Sequence, residues 1–159
     1  MTITVLKSWL ASRSRRAKVT TIVLHATAGS SLAGALSALK SRELSYHYLI
    51  EKDGKLTKAV PYTREAWHAG KSLGPEGPNV NRYSIGISMV NLNNGIDPYP
   101  QAQIDACRDL VCELAGALPD LKWLTSHYAI SPGRKTDPRG FPSLPIAKAA
   151  GLKPWGLKI

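Results

Sequence analysis

The run Val19-Thr20-Thr21-Ile22-Val23-Leu24-His25 leaves less structural choice than any other stretch of the chain. β-Branched and apolar side chains favour extended backbone, so the run reads as a buried strand. It ends in a histidine, and residues 26–31 are small, polar and Gly-containing, which predicts a loop directly after the ring. Leu32, Leu36 and Leu39 then recur at helical spacing, predicting a short helix over 32–40. A second strand is expected over 46–51, with Asp53-Gly54 as a hairpin turn into 55–60. Residues 70–82 are rich in Gly, Pro and Asn and read as a long loop, the kind that often carries function. Ser-Ile-Gly-Ile-Ser-Met-Val-Asn over 84–91 is another strand, and 93–100 is loop. The clearest helix covers 101–118, where Ile104, Cys107, Leu110, Val111, Leu114 and Leu118 form one stripe and Pro119 ends it. Trp123-Leu124-Thr125-Ser126-His127 is a short strand that again ends in histidine. Residues 131–145, with four prolines and two glycines, read as an irregular loop, and 146–150 as a last helical turn. Strands and helices that intermingle in this way predict an α/β chain with a mixed sheet covered by helices.

With 159 residues, the expectation is a single domain over 1–159. The chain is 43% hydrophobic and 20% charged, enough for a packed core and too apolar for disorder. Twenty-one Lys+Arg against 11 Asp+Glu leave a net charge of +10, a field that attracts polyanions: nucleic acid, anionic lipid or an acidic wall polymer. Against nucleic acid stands the lack of any zinc finger, RNP sequence or phosphate-binding glycine loop; the one dense basic cluster, Arg13-Ser14-Arg15-Arg16-Ala17-Lys18, is short. No apolar run is long enough to cross a bilayer, and residues 1–18 carry charges but no apolar signal-peptide core. Cys107 and Cys112 both fall in the long helix, five residues apart and turned away from each other, so they are expected to stay reduced.

The chain has four histidines. His25 and His127 end predicted strands, where side chains project past the sheet into the region where loops gather. Asp137 follows His127 within Arg134-Lys135-Thr136-Asp137-Pro138. Two imidazoles, a carboxylate and a fourth position open to water make up a catalytic zinc site. Spacing alone fits ordinary polar residues at strand ends equally well. His47 directly follows Tyr46 on a strand, so the two must face opposite ways.

Five blocks, in order, add a family resemblance. They are Ile22-Val23-Leu24-His25-Ala26-Thr27-Ala28; Ser45-Tyr46-His47-Tyr48-Leu49-Ile50-Glu51-Lys52-Asp53-Gly54; Ala66-Trp67-His68-Ala69-Gly70; Asn81-Arg82-Tyr83-Ser84-Ile85-Gly86-Ile87; and the segment from Ser126-His127 through Lys135-Thr136-Asp137-Pro138. Across 19–145 the chain resembles the zinc-dependent N-acetylmuramoyl-L-alanine amidases of type 2. These are related to peptidoglycan recognition proteins and to phage lysozymes of the amidase type.

The resemblance implies a mixed central sheet with helices on both faces and Zn2+ at the bottom of a surface groove. It assigns His25, His127 and Asp137 as zinc ligands and Lys135 as the cation that stabilises a developing oxyanion. Tyr46 matches a tyrosine aimed at the metal in the phage branch. Trp67 and His68 fall in the loop lining the groove for glycan and stem peptide. Read without the family, Lys135 is a solvated charge, Tyr46, Trp67 and His68 are packing residues, and His47 is structural. The implied partner is peptidoglycan, cut between N-acetylmuramic acid and L-alanine, with the basic surface drawn to an anionic envelope. Many bacterial members carry Ile-Gly-Ile-Glu, whose glutamate is the general base; here Ser88 stands in its place, and the phage branch, which also lacks this glutamate, keeps the tyrosine matched by Tyr46. A lone catalytic module without a signal segment or separate wall-binding domain resembles an endolysin, held in the host cytoplasm until released to the wall. The alternatives are a cytoplasmic muropeptide-recycling amidase and a recognition module that binds peptidoglycan without cutting it.

Overall fold

A computed structural model describes residues 3–6 and 10–158. In chain order the elements are β1 (Ile3–Val5), β2 (Ser12–Ser14), β3 (Thr21–Ala26), α1 (Leu32–Arg42), β4 (Tyr48–Ile50), β5 (Leu56–Lys58) and β6 (Arg64–Ala66). They continue with β7 (Leu73–Gly74), β8 (Gly77–Pro78), a 3-10 turn (Val80–Tyr83), β9 (Ser84–Met89), α2 (Gln101–Ala117), β10 (Trp123–Ser126), α3 (His127–Ile130), α4 (Ser143–Ala150) and β11 (Lys153–Pro154). Among the described residues, seven strands form one sheet in the order β1-β5-β4-β9-β3-β10-β11. β4 and β5 pair antiparallel through the Asp53-Gly54 turn, with Gly54 at φ 88°; the remaining neighbours in this sheet run parallel.

Helices cover both faces, as expected. Alternation along β3 sends Ile22 and Leu24 to one side, where Ile85, Ile87 and Met89 of β9 join them against Cys107, Leu110, Val111 and Leu114 of α2 and Ile146 of α4. The other side takes Val23, packed with Val80, Tyr83 and Ile130, and Leu49, packed with Ala35 and Leu39 of α1. His25 lies two residues beyond Val23 and so shares its face. The predicted α2 stripe lies in the core, and both cysteines are free thiols. Gln103, which the apolar pattern passes over, is fully buried because its amide donates to the carbonyls of Ile50 and Val90 at the ends of β4 and β9. α1 begins where Ser31 Oγ accepts from the Gly34 N–H and ends at Glu43, in left-handed backbone at φ 55°.

Several expectations need correcting. Tyr46 and His47 precede β4 rather than belonging to it. The expected long loop over 70–82 contains the β7–β8 hairpin and the 3-10 turn. α4 starts at Ser143 and takes the end of the expected 131–145 loop; Pro145 sits in its first turn, where a missing N–H costs no helical hydrogen bond. His127 opens α3 instead of closing β10.

Candidate metal centre

Parallel pairing of β10 with β3 places Ser126 beside Leu24, so the following residues, His127 at the start of α3 and His25 still within β3, stand side by side at that end of the sheet. The loop after α3 returns to them. Tyr128 N–H donates to the Asp137 carbonyl at 3.0 Å, and Ala26 N–H donates to Asp137 Oδ2 at 3.2 Å. His25 Nδ1 and His127 Nδ1 are 3.0 Å apart. Asp137 Oδ2 lies 3.4 Å from His25 Nδ1, and Asp137 Oδ1 lies 3.1 Å from His127 Nδ1. All three residues are buried, and their three donor atoms fall within 4.8 Å of one another.

Hydrogen bonding on the far side of the rings decides what those atoms are. His127 Nε2 lies 3.1 Å from the Ala69 carbonyl, which can only accept, so Nε2 carries the proton and Nδ1 presents a lone pair. That lone pair faces His25 Nδ1 and a carboxylate. With a lone pair on His25 Nδ1 as well, three electron-pair donors would converge in a buried space and repel each other unless a cation lay between them. This donor set fits a zinc ion, which takes imidazole nitrogen and carboxylate oxygen. Burial, and after it the nearness of the His127 imidazole, lowers the His25 pKa to about 4, so the ring is neutral and available as a ligand at physiological pH. Burial alone would raise Asp137, but the two imidazoles that face it, His127 and then His25, outweigh burial and hold the carboxyl well below its usual range.

The other expected site residues take different positions. The Tyr46 ring centroid lies 4.9 Å from that of His25. Burial, then the Asp137 charge, raises its phenol to about 12, so it keeps its proton and acts as a donor. Lys135 is exposed on the wall of a groove of about 350 Å³ above the histidines, close enough for its charge to bear on His25. Trp67 is 36% exposed on the same wall. His68 also borders the groove, but its ring is largely buried. It is turned inward, with Nδ1 2.9 Å from His25 Nε2 and Nε2 3.1 Å from Ser84 Oγ, so both ring nitrogens are engaged inside the protein. His47 faces away from the metal cluster: its Nδ1 accepts from Gly86 N–H, and its Nε2 lies 2.8 Å from the Arg64 carbonyl.

Ser88 sits beside His25 in the β3–β9 register. It is fully buried close to the Tyr46 hydroxyl, yet its Oγ makes no hydrogen bond of standard geometry. A serine there cannot serve as a base near neutral pH, so the family glutamate has no substitute at that position. Arg134 clamps the groove: its guanidinium donates to the carbonyls of Ala69 and Lys71 and to Ser131 Oγ. It thereby fixes the same Ala69 carbonyl that sets the His127 tautomer. Gly70, at φ 60° with Arg134 nitrogen 3.0 Å from where a Cβ would be, is the sequence-level trace of this contact.

The sequence profile of the N-acetylmuramoyl-L-alanine amidase family matches residues 15–140. The chain belongs to this family. The 1,6-anhydro-N-acetylmuramyl-L-alanine amidase AmpD of Escherichia coli K12 is 38% identical over 98 residues, which are 60% of this chain and 51% of that protein. The chain thus spans about half the length of the relatives it matches. AmpDh3 of Pseudomonas aeruginosa, solved with an anhydromuramic pentapeptide, superposes with a TM-score of 0.73 at 31% identity, over 84% of this chain and 60% of that one. The N-acetylmuramoyl-L-alanine amidase LysC of Clostridium intestinale has the same fold, with a TM-score of 0.76 at 23% identity over 96% and 99% of the two chains. In this amidase-family chain, as expected from sequence, no described helix is long and apolar enough to cross a membrane.

His47 gives the fold a measurable pH response. Burial lowers its pKa to about 3, whereas an unfolded histidine titrates near ~6.5. Below about pH 6.5 the unfolded chain binds a proton that the folded chain refuses, so stability falls as pH drops towards 3, by about 1.4 kcal/mol per pH unit for one such ring. Urea unfolding in chelator between pH 7 and 4 should show this loss. His47→Asn, which keeps an acceptor for Gly86 N–H, should flatten the slope by about one proton; an unchanged slope would show that His47 is not the titrating group.

Proposed function

We propose that this chain hydrolyses the amide joining N-acetylmuramic acid to L-alanine in peptidoglycan or its fragments, using Zn2+ held by His25, His127 and Asp137. The observation that supports this most is the convergence of those three buried donors at the foot of a groove whose wall carries Lys135. A divalent zinc in such a site acts as a Lewis acid and brings the pKa of bound water from ~15.7 to about 7.

The chain's own residues supply the remaining requirements. Ala69 and Ala26 hold His127 and Asp137 in orientation. Amide hydrolysis places negative charge on the former carbonyl oxygen, and the exposed Lys135 ammonium on the groove wall is available to it. The departing amine needs a proton, and the Tyr46 hydroxyl, protonated and next to His25, is positioned to donate or relay one. Trp67 offers an apolar face on the groove wall for a sugar ring or stem peptide.

Two biological settings share this chemistry. The relatives named as 1,6-anhydro-N-acetylmuramyl-L-alanine amidases favour a recycling role on soluble anhydromuropeptides. The net charge of +10 favours an endolysin that is made in the host cytoplasm and drawn to an anionic wall. Purified protein should be offered intact sacculi and a soluble anhydromuramoyl tripeptide, each with and without chelator, and new L-alanine amino termini counted. Release that chelator abolishes is the expected result, and the preferred substrate chooses between the two settings. Binding to sacculi with no release from either substrate would overturn the amidase reading and leave a recognition module.

A further inference from the structure

His68 contributes no donor to the metal cluster, yet it is buried against it at 7% exposure. Its place is held from several sides. Its backbone N–H and that of Ala69 both donate to Asn81 Oδ1, at 3.2 and 2.8 Å. Its ring lies over Gly86, where an added Cβ would stand 2.6 Å from His68 Cγ; Gly86 thus makes room for this imidazole. The ring meets His25 edge-on, with centroids 5.0 Å apart and planes at 87°.

Only one proton fits between two facing ring nitrogens, and where it sits decides what His25 can do. If His68 donates to His25 Nε2, the neutral His25 ring must carry its own proton on Nδ1, the atom that faces His127 and Asp137, and cannot bind a metal. If His25 Nε2 donates to His68 Nδ1, the His25 Nδ1 lone pair is free. His68 then carries its single proton on Nε2, which is 3.1 Å from the Ser84 hydroxyl, an acceptor.

We propose that His68 is a positioning residue: with Ser84 behind it, it accepts the His25 Nε2 proton, locks His25 in the tautomer that presents Nδ1, and thereby sets the affinity of the site for its metal. His127 achieves the same through a backbone carbonyl; His25 does it through a second imidazole whose far end rests on β9. The inference depends on His25 being a metal ligand, but not on the identity of the substrate.

The test is binding of Zn2+ and Co2+ alone to the full chain, in competition with a chromophoric chelator, together with the unfolding temperature of the metal-free protein. His68→Phe keeps a ring but offers no acceptor. It should weaken both metals about 10–100-fold, the usual cost of losing an outer partner of a ligand histidine. His68→Gln restores an acceptor and a donor and should recover most of that loss, which a purely packing role would not do. Ser84→Ala, a small change, covers the case in which His68→Phe fails to fold, and should weaken metal binding by a smaller but measurable factor. Wild-type affinity in His68→Phe or in Ser84→Ala, or a Gln variant as poor as the Phe variant, would overturn the proposal. A wild-type chain that binds neither metal would overturn the metal site as well. Tight metal binding without amide cleavage would leave this proposal standing and remove only the amidase reading.

Discussion

Asp137→Asn is expected to abolish both metal binding and amide cleavage while leaving the fold intact. The side-chain amide keeps an oxygen that can accept the Ala26 N–H, the bond that anchors the 131–142 loop to the end of β3. It removes the negative charge that faces two imidazole nitrogens at 3.1 and 3.4 Å. Losing an outer partner of a metal ligand costs about 10–100-fold, so losing an anionic ligand should cost more than about a hundredfold in affinity and in turnover. Thermal unfolding separates this from misfolding. Zinc at 100 times its dissociation constant should stabilise the wild type by about 2.7 kcal/mol, a rise of roughly 5–10 °C for a chain of this size. The variant should unfold near the metal-free wild type and gain nothing from zinc. A variant that still gains the full shift would remove Asp137 from the ligand set.

Lys135→Ala should have the second largest effect, and on a different quantity. Lys135 makes no side-chain hydrogen bond or ion pair among the described residues, and its side chain is exposed on the groove wall. Stability should therefore stay at the wild-type value, and metal affinity should not fall, since the change removes a positive charge whose field reaches His25. If its ammonium meets the charge that develops on the substrate oxygen, kcat should fall about a hundred- to a thousandfold with little change in KM, the usual cost of losing one such group. Turnover within about threefold of wild type would return Lys135 to the status of a solvated charge.

The ligand role of Asp137 and the oxyanion role of Lys135 came from the family resemblance, whereas the placing of His25 and His127 at neighbouring strand ends was legible for a physical reason. A β-branched run that ends in histidine puts the ring at the end of a buried strand, and two such runs in one sheet can lie side by side. The α2 stripe was legible because helical periodicity survives over seventeen residues. What lay beyond the sequence was set by contacts between distant segments. β1, β2, β6, β7, β8 and β11 are two or three residues long, too short for alternation to show. The orientation of His68 depends on Asn81 and on the space left by Gly86, neither of which marks a ring as turned inward. The clamp made by Arg134 exists only because the fold brings the Ala69 and Lys71 carbonyls to it. Gln103 breaks an apolar rule because two strand ends expose carbonyls that need a donor.

Ser88 carries a consequence for catalysis. With a serine beside His25 instead of a carboxylate, no protein base flanks the metal position from β9, and Asp137 is held as an anion by the two histidines. In the proposed reaction the groups left to manage protons are Tyr46, which keeps its proton up to about pH 12, and the solvent of the groove.

The central claim is that His25, His127 and Asp137 grip one metal ion. A zinc-edge anomalous difference map from crystals of the zinc-loaded protein tests it most directly. One peak per chain is expected, bonded to Nδ1 of both histidines and to an Asp137 oxygen at about 2.0–2.2 Å, with a further position open to the groove. A peak elsewhere, or none between these three side chains at full zinc loading, would contradict it.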